Sequence, residues 1–525
     1  VYNFEKDWRL DMDRTKQNLI TKQVKKDSIF DRKVFIPASI SVLLVLITYV
    51  WFISFGSWTH WPSITNDYIQ LATAFQHGSL SLEIKPSSAV LALQNPYDPA
   101  ARRHTPYPID YSLYKGKYYL YFGPIPALLL VVIKFLGFAT TNDNHLVFIF
   151  ASGTLIFQSL LIVKIWKRFF QSTSIWVLPL CILFSGLAFP IPWILTEARI
   201  YEAASTGGQF FFLAGFYFVF TALDRETISI RQFILAGTLW TFAIGSRLTQ
   251  IVPISFALVM VIFWIFRTST QSKLRSRVIY PLIALCSPII LGAAILGWYN
   301  WARFDSIFET GFYYALAGPY LQKYSHVLFS PLYLLPNLYN YLVMRPKISM
   351  TFPFLQSMPG YGTVKFPFIQ VPPVYHEWIL TGILFSTPFI LFAAIPILFL
   401  LLRKRGIKDE IESYGEGYPF KWLVISLLGS FLFGFAPIAA YFYVVARFLA
   451  DFTPSLILLS IIGFWQGYSG TAQRPTIHKI YITVGIILIA ASIVIGILLA
   501  LSAHAEEFQT FNPALWGRLV SLFPQ

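Results

Sequence analysis

Charge is scarce in this sequence: Asp, Glu, Lys and Arg make up 12% of its 525 residues, about half of what a soluble globular domain carries. Too little polar surface remains to keep a folded monomer in water. Cysteine is nearly absent as well. Cys181 and Cys286 both sit in apolar runs, which argues against a disulfide framework or a thiolate metal centre. The eight histidines are scattered without the paired spacing of metal ligands. There is no Walker-type phosphate loop, and "PGYG" at 359–362 is too short for a dinucleotide fingerprint. The Gly-x-Ser-x-Gly nucleophile elbow of serine hydrolases is missing too.

What is present is apolar. Hydrophobic residues make up 56% of the chain and aromatic residues 18%, so the fold class is an all-α polytopic membrane protein. Apolar runs near 34–55, 146–165, 174–190, 207–223, 232–246, 250–266, 278–298, 378–402, 421–442, 453–467 and 480–502 predict about eleven transmembrane helices. Residues 1–33 form a charged, amphipathic cytoplasmic segment, and 34–55 reads as a signal anchor. The run 118–137, "YYLYFGPIPALLLVVIKFLG", opens with Gly123, Pro124 and Pro126 and carries Lys134. Counting it as a full span would put "KIWKRFF" and the later basic loops outside, so it is read as a re-entrant or interfacial helix.

With the N-terminus inside, 25 of the 40 Lys and Arg fall on predicted cytoplasmic segments, as the positive-inside rule requires. The net charge of +15 thereby belongs to an anionic inner leaflet, and nucleic-acid binding has no support. The chain divides into 34–298, a transmembrane module with the outer loop 56–117; the long outer loop 299–377; C-terminal transmembrane helices over 378–502; and an outer tail, 503–525.

Ionisable residues at membrane depth are costly and usually mark function. Here they gather at the outer ends of spans: Asp67 after the first; Glu197, Arg199 and Glu202 in "TEARIYEAAS"; Arg247 in "AIGSRLTQ"; Arg303, Asp305 and Glu309 in "WARFDSIFETGF"; Arg447 and Asp451 in "VVARFLADF". The first loop adds Asp98, Arg102, Arg103, His104 and Asp110. Each has a plain alternative. Asp67 suits a helix N-terminus, Arg247 can snorkel, and Arg447 with Asp451 fits an i,i+4 pair. Their shared side of the membrane predicts one outward-facing chamber.

An acid just after the first span, heading an amphipathic helix ("NDYIQLATAFQHGSLSL"), resembles the GT-C superfamily of membrane glycosyltransferases. The likeness is to bacterial relatives of the protein mannosyltransferase and aminoarabinose transferase type. "DYSLYKGKYYLYFGPIPALLL", "GSRLTQIVPISFALV", "YNWARFDSIFETGFYYALAG" and "ARFLADFTPSLILL" continue it in order along most of the chain. The resemblance implies inverting transfer from a polyprenyl-phosphate sugar to a glycan, lipid or protein hydroxyl, outside a bacterial inner or plasma membrane. Asp67 would be the base. Many members have two adjacent acids there, whereas this chain has Asn66-Asp67, so a second carboxylate must come from Asp110, or else Glu83 or Asp98. Arg447, Arg247 and Arg199 are expected on the donor phosphate, and Glu197, Glu202, Arg102, Arg103, Arg303 and Asp451 on substrate. No metal ligand set is evident, and a divalent cation is left open. The competing readings are a lipid or glycan transporter or flippase, and a non-catalytic subunit of the same fold. Transporter sites lie near the midplane, often between repeats, and neither feature is visible here.

Overall fold

The structure, a computed structural model, describes residues 31–138, 141–224, 229–268, 278–359, 369–401, 417–503 and 505–523. The charged N-terminal segment therefore lies almost wholly outside the described residues, and the basic stretch 403–416 lies wholly outside them. Among the described residues seven helices are long and apolar enough to cross a membrane: Arg32–Ile53, Asp143–Phe169, Ile200–Leu223, Leu248–Arg267, Tyr280–Phe304, Pro419–Ala439 and Pro475–Ser502. The first, at 22 residues, reaches about 33 Å at 1.5 Å per residue, enough for a hydrocarbon core of about 30 Å. The chain is an integral, multi-pass membrane protein.

The other apolar runs are shorter or broken, for local reasons. Run 174–190 becomes the 11-residue helix Val177–Leu187, which stops short of Pro190, a residue that cannot donate a helical bond, and a separate short helix, Ile191–Thr196, follows it. Run 378–402 becomes Ile383–Ser386, a 3₁₀ stretch Pro388–Ala393 and Ala394–Leu401, again interrupted by proline. Run 232–246 is the 17-residue helix Ile230–Ser246, and 453–467 lies in Thr453–Thr471. The Ile230–Ser246 helix packs tightly on Tyr280–Phe304. A Cβ on Gly237 would stand 2.3 Å from the Leu285 carbonyl oxygen, and the Thr241 hydroxyl donates to the Pro288 carbonyl at 3.0 Å. Small residues at such crossings let backbones approach where the bilayer supplies no hydrophobic drive.

Stretch 118–137 is not a single helix. Tyr111–Tyr114 and Lys117–Leu120 form an antiparallel hairpin whose turn residues, Lys115 and Gly116, both have positive φ, as tight hairpin turns favour. An 11-residue helix, Ile125–Phe135, follows. At about 16 Å it is too short to span alone, and it packs on the helix Asp67–Gln76.

The two long loops are zipped together. Asp110 donates its amide to the Leu316 carbonyl at 3.2 Å, and Leu316 returns one to Tyr111 at 2.8 Å. Arg102, 1% exposed, donates to the Ala317 carbonyl at 2.7 Å and stacks over Tyr107. Arg303 is likewise buried, bonded to the carbonyl of Leu120 at 2.6 Å. The second loop has its own small core around Leu321, Leu328, Tyr333, Val374 and Phe442. Its end, His376–Glu377, runs parallel to Tyr443–Val444. The tail also folds back: Asn512 donates to the Phe55 carbonyl at 3.0 Å, and Phe508 packs on Trp51 and Phe55.

Candidate active site

Asp67 is the first residue of an amphipathic helix, Asp67–Gln76, as expected, but Asn66 makes no side-chain cap. The cap comes from another helix. Asp143 accepts the amides of Asp67 at 3.0 Å and Tyr68 at 3.1 Å, and the Thr65 hydroxyl at 2.8 Å. Thr65 in turn accepts the amide of Ile200 at 2.9 Å. Three helix starts thus converge on one hydroxyl and one carboxylate, which satisfies first-turn donors that would otherwise be orphaned. This junction fixes Asp67 in place. The Tyr111 hydroxyl donates to Asp67 Oδ1 at 2.6 Å, and Oδ2 stays outside that bond.

Asp110 sits one residue before Tyr111 in the left-handed region, at φ 64°, which Asp tolerates better than most residues. Tyr201 donates a hydrogen bond to Asp110 Oδ2. Burial raises the pKa of both acids above the ordinary 3.8. At Asp67 the Tyr111 bond opposes that rise and the charge of Asp110 adds to it. At Asp110 the Tyr201 bond and the Arg447 charge oppose it.

A cavity of about 1230 Å³ opens beside them. Asp110, Glu197, Arg199, Tyr201, Arg247 and Arg447 all line it, with an aromatic wall and Glu507 from the tail. Neither Asp67 nor Tyr111 is a lining residue; Asp67 is linked to the cavity wall by its bond to Tyr111, the chain neighbour of Asp110. A smaller cavity of about 300 Å³, walled by Pro124, Ala204, Ile244, Leu296, Pro437 and Ile438 among others, shares Arg247, Tyr121, Tyr441 and Phe448 with it. Arg247 therefore stands where a chamber of mixed charged and aromatic lining meets a largely apolar one.

The three arginines differ in how far they are neutralised. Arg247 gives both Nε and Nη2 to Asp451 Oδ2, at 2.7 and 2.6 Å. Arg199 Nη2 lies 3.1 Å from Glu197 and 2.9 Å from Glu507. Arg447 reaches Glu202 only at 3.9 Å and lies over the Tyr201 ring at 4.5 Å. Its charge is the most available of the three. The expected Arg447–Asp451 pair does not form, because 446–451 is a 3₁₀ stretch and each residue pairs across elements instead.

Of the other expected substrate residues, Glu197 lines the large cavity. Glu202 and Asp451, 0% and 2% exposed, stand behind Arg447 and Arg247 and reach the cavity only through them. Arg102 is buried in the loop junction, Arg103 is exposed away from the cavity, and Arg303 lines the smaller chamber. Glu83 pairs with His77 at the surface and Asp98 caps a turn at Ala100; of these three candidates Asp110 is the one whose charge bears on Asp67. Asp143, Thr65, Tyr111 and Tyr201 were not singled out from sequence. Tyr201 lies inside "TEARIYEAAS", whereas nothing local to Asp143 marks its role.

Among the described residues no group of three or more His, Cys, Asp or Glu converges as a metal site. Asp143 is committed to backbone amides, and Asp67 and Asp110 each accept from a tyrosine. Positive charge lining the cavity comes from arginine.

No family model and no curated protein matches this chain. Its structural neighbours include an archaeal oligosaccharyltransferase, AglB from Archaeoglobus fulgidus, in complex with an inhibitory peptide and a dolichol-phosphate. That likeness has a TM-score of 0.41 at 11% identity, over 90% of this chain and 56% of that one. ArnT from Cupriavidus metallidurans, bound to undecaprenyl phosphate, is similar with a TM-score of 0.41 at 9% identity, over 92% of this chain and 77% of that one. The chain thus spans little more than half the length of the archaeal enzyme.

Proposed function

We propose that this protein is a membrane glycosyltransferase of the GT-C type. It moves a sugar from a polyprenyl-phosphate donor to an acceptor hydroxyl at the outer face of the membrane, with inversion. The observation that carries the reading is the position of Arg247, shared by a large cavity lined with charged and aromatic groups and a smaller, mainly apolar one. An amphiphile with a phosphate head and an isoprenoid tail suits such a junction.

In this reading Arg447 and Arg247 hold the donor phosphate and stabilise the charge it gains as its bond to the anomeric carbon breaks. The acceptor oxygen attacks that carbon from the opposite side and its proton passes to the Asp67–Asp110 pair. Raised carboxylate pKa values suit proton uptake, since an ordinary aspartate is a weak base at neutral pH. Glu202 and Asp451 act by positioning the two arginines. The apposed outer loops exclude water that would otherwise take the sugar. No covalent intermediate is required.

The test is transfer from a radiolabelled polyprenyl-phosphate sugar by the purified protein in liposomes. Turnover that needs the lipid phosphate and is lost in Arg447→Ala supports the reading. Passage of intact donor across the bilayer without bond cleavage would instead identify a transporter.

A further inference from the structure

The aromatic wall of the large cavity is ordered. Trp378, His376, Tyr443, Arg447, Tyr201 and Asp110 all line it, and each lies against the next. The rings of Trp378 and His376 are 5.9 Å apart. Those of His376 and Tyr443 are stacked 5.3 Å apart at 13°. The Arg447 guanidinium lies 5.7 Å from the Tyr443 ring and 4.5 Å from Tyr201, whose hydroxyl donates to Asp110.

The row is built by backbone pairing. His376 donates its amide to the Phe442 carbonyl at 2.9 Å, and Trp378 to Val444 at 2.8 Å. Strand alternation then sends His376 and Trp378 to the same face. Glu377 turns the other way, held by Asn340 at 2.7 Å and Tyr375 at 2.9 Å. Trp378 is 49% exposed, so burial does not explain its large apolar ring. A tryptophan at a membrane surface can simply anchor there. This one instead lines the chamber of the arginines and is in register with rings leading to the acid pair.

Resting on the reading above, we propose that the acceptor is a saccharide chain, whose sugar rings lie along Trp378, His376 and Tyr443 with the attacking hydroxyl at the Asp110 end. The carbon-bound hydrogens on a pyranose face suit the negative face of an aromatic ring. A peptide or a diacylglycerol has no repeating ring to match the row.

The experiment supplies the full-length protein in liposomes with labelled polyprenyl-phosphate sugar. The acceptors are linear gluco-, manno- and N-acetylglucosamine oligosaccharides of one to four units, a serine-containing peptide, and diacylglycerol. Label is expected in a saccharide series, with KM falling about fivefold for each added ring up to three. Trp378→Ala should collapse that dependence on length, with the KM ratio between trimer and monomer approaching one. Trp378→Phe should restore most of it. Label only in peptide, lipid or water overturns the saccharide assignment while leaving donor cleavage intact. Length-independent KM, or equal losses for every acceptor in Trp378→Ala, overturns the row. No cleavage of donor with any acceptor removes the underlying transferase reading instead.

Discussion

Asp143, the first residue of one membrane-length helix, caps the first turn of the Asp67 helix, accepting the amide of Asp67 itself at 3.0 Å. Asp143→Ala should therefore do two things. It should remove a cap worth about 1–2 kcal/mol, read as a lower Tm in detergent, and it should release Asp67 from its position, read as a fall in kcat larger than any change in donor affinity. Asp143→Asn, which keeps an acceptor oxygen, should recover part of both. A stable Asp143→Ala protein with full turnover would show that the junction does not position the acid.

Arg247 and Asp451 form a buried ion pair at the site, with the Asp451 side chain 1% exposed. Removing one partner strands the other. Asp451→Ala should cost about 3–5 kcal/mol, seen as a marked drop in Tm. Asp451→Leu combined with Arg247→Met should regain much of that stability and stay inactive. If the double variant is active, Arg247 does not hold the donor.

The arginines should rank by how far they are already neutralised. Arg447→Ala should lower kcat/KM about 10²–10³-fold. Arg199, held between Glu197 and Glu507, should matter less, with Arg199→Ala losing under about tenfold. Steady-state kinetics at fixed salt checks the order, and the reverse ranking contradicts the assignment.

The pH dependence follows from the raised pKa values of Asp67 and Asp110. The acid limb of the kcat/KM profile should lie above the ordinary aspartate value of 3.8. Asp110→Asn removes the like charge that raises Asp67, so in its residual activity the limb should move to lower pH. The stability effect has a definite sign. The folded protein holds these protons more tightly than the unfolded chain, so their contribution is fully present below 3.8 and is lost as pH rises through the folded values. Asp110→Asn should thus melt no lower than the parent at pH 7. An unshifted acid limb would separate the two acids.

The sequence carried the membrane class and the Asp67 helix because both are local signals, hydropathy over a window and an acid at a helix start. It also carried the gathering of Arg199, Arg247 and Arg447, since each lies where an apolar run ends. Their partners were not legible. Asp451 was matched with Arg447 by spacing, yet it pairs with Arg247 across elements. Glu507 returns from the tail to Arg199, and Asp143 reaches Asp67 from another helix. Such pairings are set by packing, and no period in the sequence reports them. The run 378–402 reads as one span because apolar composition persists across Pro388, where the structure breaks it into short pieces.

The most direct test of the Asp67–Asp110 pair as proton acceptor is single-turnover transfer of labelled sugar in liposomes by Asp67→Asn and Asp110→Asn. Correct insertion would be verified by protease protection. Each variant should still bind polyprenyl phosphate but transfer at least about 10²-fold more slowly than the parent. Parent-like transfer by both variants would contradict the account.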